Sequence, residues 1–214
     1  MHEIQYHIID QLLHHQSRRF SELKIKSLES SLFQYHLKYL IKQGLVEKTL
    51  DGKYQLSPGG IYFVDRLSLT TKTPRPQPKL TTIVVLRNER DEFLLYQEHR
   101  QPYIDTWRFP AGKIHENERL ADAAAREIRE KFGMEIDGLR QIGAVHLRTF
   151  ECGELTIENY AFIFVGNYDG ELPAEAMWFD ADDKSDLPLM PGVREVIDYV
   201  QNDQHEVHEY DVIV

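Results

Sequence analysis

Gly112 to Met134, GKIHENERLADAAAREIREKFGM, decides how the rest of the chain is read. It has the form of loop, helix, loop. Asn117, Glu118 and Asp122 gather at a helix start, where the macrodipole favours negative charge. Alanines and long straight-chain residues carry the helix onward, and Gly133 ends it as a C-cap. Glu127 and Glu130 stand three apart, so both carboxylates leave one helical face. Two carboxylates facing a cleft repel each other, and a divalent cation relieves that repulsion. Oxygen donors of this kind suit hard cations such as Mg²⁺ or Mn²⁺.

At these spacings the stretch resembles the Nudix (MutT-like) pyrophosphohydrolase box, G-x5-E-x7-R-E-U-x-E-E-x-G-U with U aliphatic. Gly112, Glu118, Arg126, Glu127, Ile128, Glu130, Gly133 and Met134 fill its positions, and Lys131 stands where the second Glu of the E-E pair belongs. Upstream, Trp107-Arg108-Phe109-Pro110-Ala111-Gly112 is similar to the family's W-x-x-P-G-G approach, with Ala111 for the first glycine. The alternative is a solvated helix rich in Glu and Arg, which the fixed spacing of so many matches disfavours.

The resemblance implies an α/β/α sandwich with a mixed sheet, in the α+β or α/β class. It implies a metal-dependent hydrolase of a nucleoside diphosphate linked to another moiety. Carried over by position, Glu127 and Glu130 are metal ligands for Mg²⁺ or Mn²⁺, and Arg126 anchors the carboxylates by a charge-assisted pair with Glu118. Gly112 lets the backbone approach metal or phosphate closely. Arg100 and Arg108 are candidate phosphate contacts. Glu158 is a candidate to complete the metal shell, against its reading as an exposed strand residue. Trp178, Phe150 and Tyr160 are candidates to stack on a base, against their reading as core or edge aromatics.

Lys131 departs from the box and has two readings. It lies four residues after Glu127, so its ammonium can reach that carboxylate as an ordinary helix pair. It can instead hold a substrate phosphate as a point charge. In the first case it competes with a cation on Glu127, since unit charges about 4 Å apart interact by roughly 4 kcal/mol at an effective dielectric of 20.

A chain of 214 residues with 42% apolar residues holds one large domain or two modest ones and is not of the disordered class. Its one cysteine, Cys152, closes no intrachain disulfide and excludes a cysteine metal cluster. No basic segment with an apolar run opens the chain, and no apolar stretch approaches membrane-spanning length, so a cytoplasmic protein without a membrane partner is expected. The formal charge of −10 is uneven: residues 1–79 carry 12 Lys and Arg against 7 Asp and Glu, and residues 80–214 carry 13 against 28. Opposite balances suggest separate partners.

The basic part reads as helices near 2–15 and 21–24, then SSLFQYHLKYLIKQ from Ser30 to a stop at Gly44. On that third helix Phe33, Leu37, Leu40 and Ile41 share an inner face, and Ser31, Gln34, Tyr35, Lys38 and Lys42 the outer one. Strands over 45–50 and 53–56 meet at Asp51-Gly52, and Pro58 starts a helix running to about Leu69. This order resembles a winged helix-turn-helix domain. The resemblance makes DNA a partner: Ser31 and Gln34 could meet base edges, and Lys38, Lys42 and Lys53 phosphates. The alternative is a winged helix used for dimerisation.

The expected organisation is a winged helix-turn-helix domain over 1–69, a Pro-rich linker over 70–79, a Nudix domain over 80–203 and a tail over 204–214. Both resemblances imply a homodimer. His205 and His208, three apart with no third ligand near, read as surface residues. The leading function is a pyrophosphohydrolase acting on a nucleotide-like small molecule. The second is a regulator whose Nudix domain senses such a molecule while the winged helix binds DNA. A ligand-free scaffold is the third, and an acid-rich loop-helix-loop gives it no support.

Overall fold

The computed structural model describes residues 1–68, 71, 73–182, 186–202 and 205–214. The chain divides into two compact units, Met1–Gln77 and Pro78–Val214.

In the first unit, α1 (Glu3–Leu13), α2 (Phe20–Leu23) and α3 (Ser30–Lys42) precede a hairpin of β1 (Val46–Lys48) and β2 (Tyr54–Leu56). The helical spacing of Ile4, Ile8, Ile9 and Leu12 buries one side of α1 against Leu23, Phe33, Leu37, Leu40 and Val46. Ile41, expected inside, is 37% exposed, while His36 is buried and stacks on His2 at 4.3 Å. The inner stripe of α3 is thus 33, 36, 37 and 40, with His36 in the place the apolar pattern gave to Ile41. The hairpin pairs Val46 with Leu56 and Lys48 with Tyr54, so Leu50 and Lys53 stand in the turn rather than in strands. Gly52 turns there at φ 84°.

Ser57 caps α4 (Pro58–Asp65) by accepting from Gly60 N at 3.0 Å, and Pro58 is well placed at its first turn. A Cβ on Gly60 would lie 1.9 Å from the Leu45 carbonyl oxygen, so this helix packs on the hairpin only with glycine there. The helix ends at Asp65, short of the expected Leu69, which lies outside the described residues. Leu67 leaves the helix and is buried in a two-residue strand, β3 (Leu67–Ser68), paired with β4 (Thr73–Pro74). Within the expected linker, Thr73 and Pro74 are therefore paired, while Thr70 and Lys72 are outside the described residues.

In the second unit the strands are β5 (Lys79–Arg87), β6 (Phe93–Gln97), β7 (Trp107–Arg108), β8 (Ala111–Lys113), β9 (Arg140–Glu151), β10 (Glu154–Asn167), β11 (Ala176–Phe179) and β12 (Val207–Ile213). The helices are α5 (Leu120–Phe132) and α6 (Val193–Gln201). One sheet runs β11-β6-β5-β10-β9-β12, with β7 beside β6 and β8 beside β5. It is mixed: β10 runs parallel to β5 and β12 parallel to β9, and the other pairs are antiparallel. Alternation along β5 sends Val84 and Leu86 to the α5 face, against Ala124 and Ile128. It sends Ile83 and Val85 to the α6 face, against Val196 and Ile197. The unit is therefore helix, sheet, helix. The expected boundary at 203/204 lies outside the described residues, but the tail after it is sheet: β12 pairs along β9 from Val207 to Ile213. Among the described residues no helix is long and apolar enough to cross a membrane.

The deciding stretch departs from its first reading at one end. Ala111–Lys113 is not loop but strand, paired with Thr81–Ile83. The helix begins only at Leu120, with Arg119 at its N-cap, so Asp122 alone of the expected acids lies in the first turn. Glu118 belongs to the turn before it. The other end is as expected: Gly133, at φ 67°, closes α5 by donating to Arg129 O at 2.8 Å.

Candidate active site

β8 and α5 converge on a cavity of about 610 Å³ in the second unit, lined by Gly112, Glu127, Glu130, Lys131, Arg100 and Arg108. Arg126 also faces it, and Glu118 lies behind Arg126. Eight of the candidates expected of the second unit, Glu118 included, thus meet in one place.

Arg126 commits four of its five N–H donors. Its Nε donates to Glu118 Oε1 at 2.6 Å and its Nη2 to Glu118 Oε2 at 3.0 Å, a bidentate pair. Nη2 also donates to Lys113 O at 3.0 Å and Nη1 to Glu130 Oε2 at 3.1 Å. These bonds tie α5 to the β8 strand and the turn after it. The Arg126 hydrogen bond, with one from the His115 backbone, holds the Glu118 carboxyl down to about 2. The Glu118 bond in turn raises the Arg126 guanidinium above its ordinary range.

Glu127 rests on glycine. Its side chain is 12% exposed, with Oε2 3.6 Å from Arg126 Nη1. A Cβ on Gly112 would lie 1.7 Å from that same Oε2. Only a bare backbone leaves room for the carboxylate, which gives the glycine of β8 a steric reason. Glu130, more exposed, is aligned by Arg126. Among the described residues no third His, Cys, Asp or Glu joins them as a metal-binding group. A small hard cation such as Mg²⁺ is commonly held by one or two carboxylates, with water and phosphate oxygens completing its shell. Glu127 over the Gly112 cradle, with Glu130 beside it, fits that donor set.

Lys131 does not form the helix pair with Glu127. No described carboxylate lies within ion-pair distance of its ammonium; Nζ donates instead to Tyr96 OH at 2.8 Å and lies 4.1 Å from that ring's centroid. Glu127 is turned to Gly112, and the phenol on β6 is the acceptor in reach. Burial pushes Lys131 below the usual lysine range, against the pull of Glu127 and Glu98. Burial likewise raises the Tyr96 phenol.

Tyr96 and Glu98 are site residues that the sequence reading missed. Glu98 directly follows β6, and its Oε2 accepts from Tyr96 OH at 3.4 Å. Glu98 is buried, 7% exposed, and accepts from Arg108 Nη1 at 3.0 Å, with Arg100 Nε 3.6 Å away. Burial opposes its charge, yet Arg108, Lys131 and Arg100 together hold its carboxyl below the ordinary value. A charged residue two places after the apolar run Phe93–Tyr96 was the available signal. Lys79 and Lys113 also line the cavity and were missed. So were Thr81 and Asn159, joined by a 2.9 Å hydrogen bond. An apolar recess of about 80 Å³, walled by Tyr103, Phe109, Leu147 and Thr149, adjoins it and shares Arg108, Ile157, Asn159 and Met190 with it.

Glu158 does not join the site. Ile157 and Asn159 line the cavity, so alternation turns Glu158 to the other face of β10, where it meets His146 Nε2 at 3.0 Å. Tyr160 stacks on the same His146 ring at 4.0 Å, and Trp178 packs in the α5-side core. Neither these nor Phe150 lines the cavity.

In the first unit Ser31, Gln34, Lys38 and Lys42 are exposed along α3, beside Tyr35 and Tyr39 at 63% and 43% exposure. Ser31 Oγ donates to Glu29 Oε1. Lys53 is paired with Asp51 at 2.8 Å, holding that carboxyl to about 2.

Known proteins resemble this chain over the second unit. The Bacillus subtilis uncharacterized Nudix hydrolase YvcI is 28% identical over 124 residues, 55% of this chain and 77% of that protein. The oxidized purine nucleoside triphosphate hydrolase of Danio rerio is 29% identical over 143 residues, 60% of this chain and 88% of its own. Among solved structures, the NUDIX domain of Shewanella oneidensis NrtR, crystallised with ADP ribose, shares the fold. It has a TM-score of 0.51 at 17% identity, over 66% of this chain and 96% of that one. The NUDIX domain family matches residues 77–200, more than half of the sequence and the whole of the cavity just described, and the chain belongs to that family.

Proposed function

We propose that the second unit is a metal-dependent pyrophosphohydrolase that cleaves a nucleoside diphosphate linked to another moiety. One observation carries the reading: the paired Glu127 and Glu130 carboxylates, one seated on Gly112, in a cavity that six Lys and Arg side chains also line. The names of the two relatives, both hydrolases, support it. Mg²⁺ or Mn²⁺ on these carboxylates would neutralise phosphate charge and lower the pKa of a bound water. The chain's own residues do the rest. Glu127 and Glu130 hold the cation. The Arg126–Glu118 pair fixes the helix that carries them. Arg108 and Arg100 orient the phosphates, and buried Glu98 positions both guanidiniums.

The test is turnover of a broad panel of nucleoside diphosphate derivatives by purified protein with Mg²⁺ or Mn²⁺. Glu127→Gln should lower kcat/KM by about two to three orders of magnitude, the range seen when one charge-stabilising group of a catalytic site is removed. A flat response across the panel, unchanged in Glu127→Gln, refutes the reading.

A second reading is favoured by the outer face of α3. Gln34, Tyr35, Lys38 and Lys42 are all exposed there, in the half of the chain with an excess of Lys and Arg. In this reading residues 1–69 are a winged helix-turn-helix domain that binds DNA, and the catalytic cavity over 80–203 also senses its ligand. Lys53, already paired with Asp51, contributes less than Lys38 and Lys42. Binding of genomic fragments at low salt should weaken steeply as salt rises. Absence of any shift at low salt refutes it.

A further inference from the structure

We propose that this cavity binds a diphosphate without a divalent cation, with the Lys131 ammonium supplying positive charge that a purely acidic site would have to draw from a metal ion. The inference rests on the reading of the cavity as a diphosphate site and concerns its binding step alone.

The charge balance points this way. Six cations line the cavity: Lys79, Arg100, Arg108, Lys113, Arg126 and Lys131. Glu127 and Glu130 line it with them, and Glu98 and Glu118 lie behind, held by Arg108 and Arg126. Six cations against four carboxylates leave an excess of two positive charges, which matches the two negative charges of a diphosphate diester. A glutamate at position 131 would cancel that excess, leaving five against five.

The cations also differ in availability. Arg126 spends its donors on Glu118, Lys113 O and Glu130. Among the described residues, Lys79, Lys113 and Lys131 have no ion-pair partner. An ammonium has three donors, and Lys131 uses one on Tyr96 OH. Tyr96 is itself 4% exposed and set edge-on against Phe132 with ring centroids 5.8 Å apart. The ammonium is therefore held at the cavity wall by a buried phenol, with donors to spare. A positioned charge of this kind loses little freedom when an anion arrives.

The experiment is calorimetric titration of the full chain with the symmetrical dimethyl ester of methylene diphosphonate, a dianion whose bridge cannot be hydrolysed, once in EDTA and once in Mg²⁺. Wild type should bind in EDTA within about threefold of its affinity in Mg²⁺. Lys131→Met should lose about tenfold in EDTA, the effect of removing one nearby charge in a partly screened site. Lys131→Glu should lose more in EDTA and regain affinity when Mg²⁺ is added. Lys113→Gln, changed at an exposed side chain, should lose about threefold in EDTA and keeps the test alive if the buried variants misfold. Wild-type binding only in Mg²⁺ overturns the inference and leaves the hydrolase reading standing. EDTA affinities unchanged in every lysine variant also overturn it. No binding in either condition overturns both.

Discussion

Arg126 and Lys131 are cations on one helix, facing one cavity, and their surroundings could hardly differ more. Arg126 makes hydrogen bonds to two carboxylates and a backbone carbonyl, with a side chain 14% exposed. Lys131 meets a neutral phenol and no carboxylate. A cation so committed has little left to offer a ligand, and its bonds are better read as holding helix to strand. A less committed one, pinned in place, is available. The contrast separates a residue that builds the site from one that serves it, and it can be attacked at several points.

The sharpest attack is on Glu127, which lies between the two cations and is held firmly by neither. If Gly112 sets that carboxylate, Gly112→Ala should drive Oε2 from its seat, since the added carbon would lie 1.7 Å away. Turnover and Mn²⁺ affinity should both fall by about 100-fold, on the scale of losing one catalytic electrostatic group, while the melting temperature changes little. Unchanged Mn²⁺ affinity would show that the carboxylate has other supports.

A smaller effect separates the cations themselves. Arg126→Met strands Glu118 and Glu130 and should cost about 2 kcal/mol in urea unfolding, below the range for fully buried pairs because these groups keep some water. Lys131→Met should cost less than about 1 kcal/mol, the size of one ordinary hydrogen bond. Equal losses would erase the distinction between builder and server.

The smallest effect is one of pH. Glu118 is held to about 2 in the folded chain against an ordinary 4.5. Its pairing therefore stabilises the fold fully above pH 4.5, and that contribution fades as pH falls toward 2. The urea-midpoint gap between wild type and Glu118→Gln should be widest at pH 6 and narrower at pH 3. A gap that does not narrow would mean the carboxylate is not held by charge.

Much of this was legible from the residues alone, for identifiable reasons. The helix of the box, its two projecting carboxylates and its glycine stop follow from local spacing, which helices obey closely. The Glu118–Arg126 pair came with the resemblance to the box, both residues filling its positions in one short segment. What spacing could not give was anything set by the sheet. β8 looked like loop because Ala111-Gly112-Lys113 has no strand pattern; its pairing with Thr81–Ile83 is supplied by a distant segment. Tyr96 arrives from β6 and Glu98 from just past its end, some thirty residues upstream of Lys131, so the neighbour of that lysine was invisible and Glu127 took its place in the reading. Glu158 failed for the opposite reason: it is near the right strand position but on the wrong side of a two-residue alternation.

The parallel strand β12 closes one border of the sheet along β9. It covers a row of backbone donors and acceptors that would otherwise be free to capture a strand from another molecule. β12 is now the outermost strand, and its exposed Glu209 and Asp211 place negative charge along the new border, so that like strands repel there rather than join.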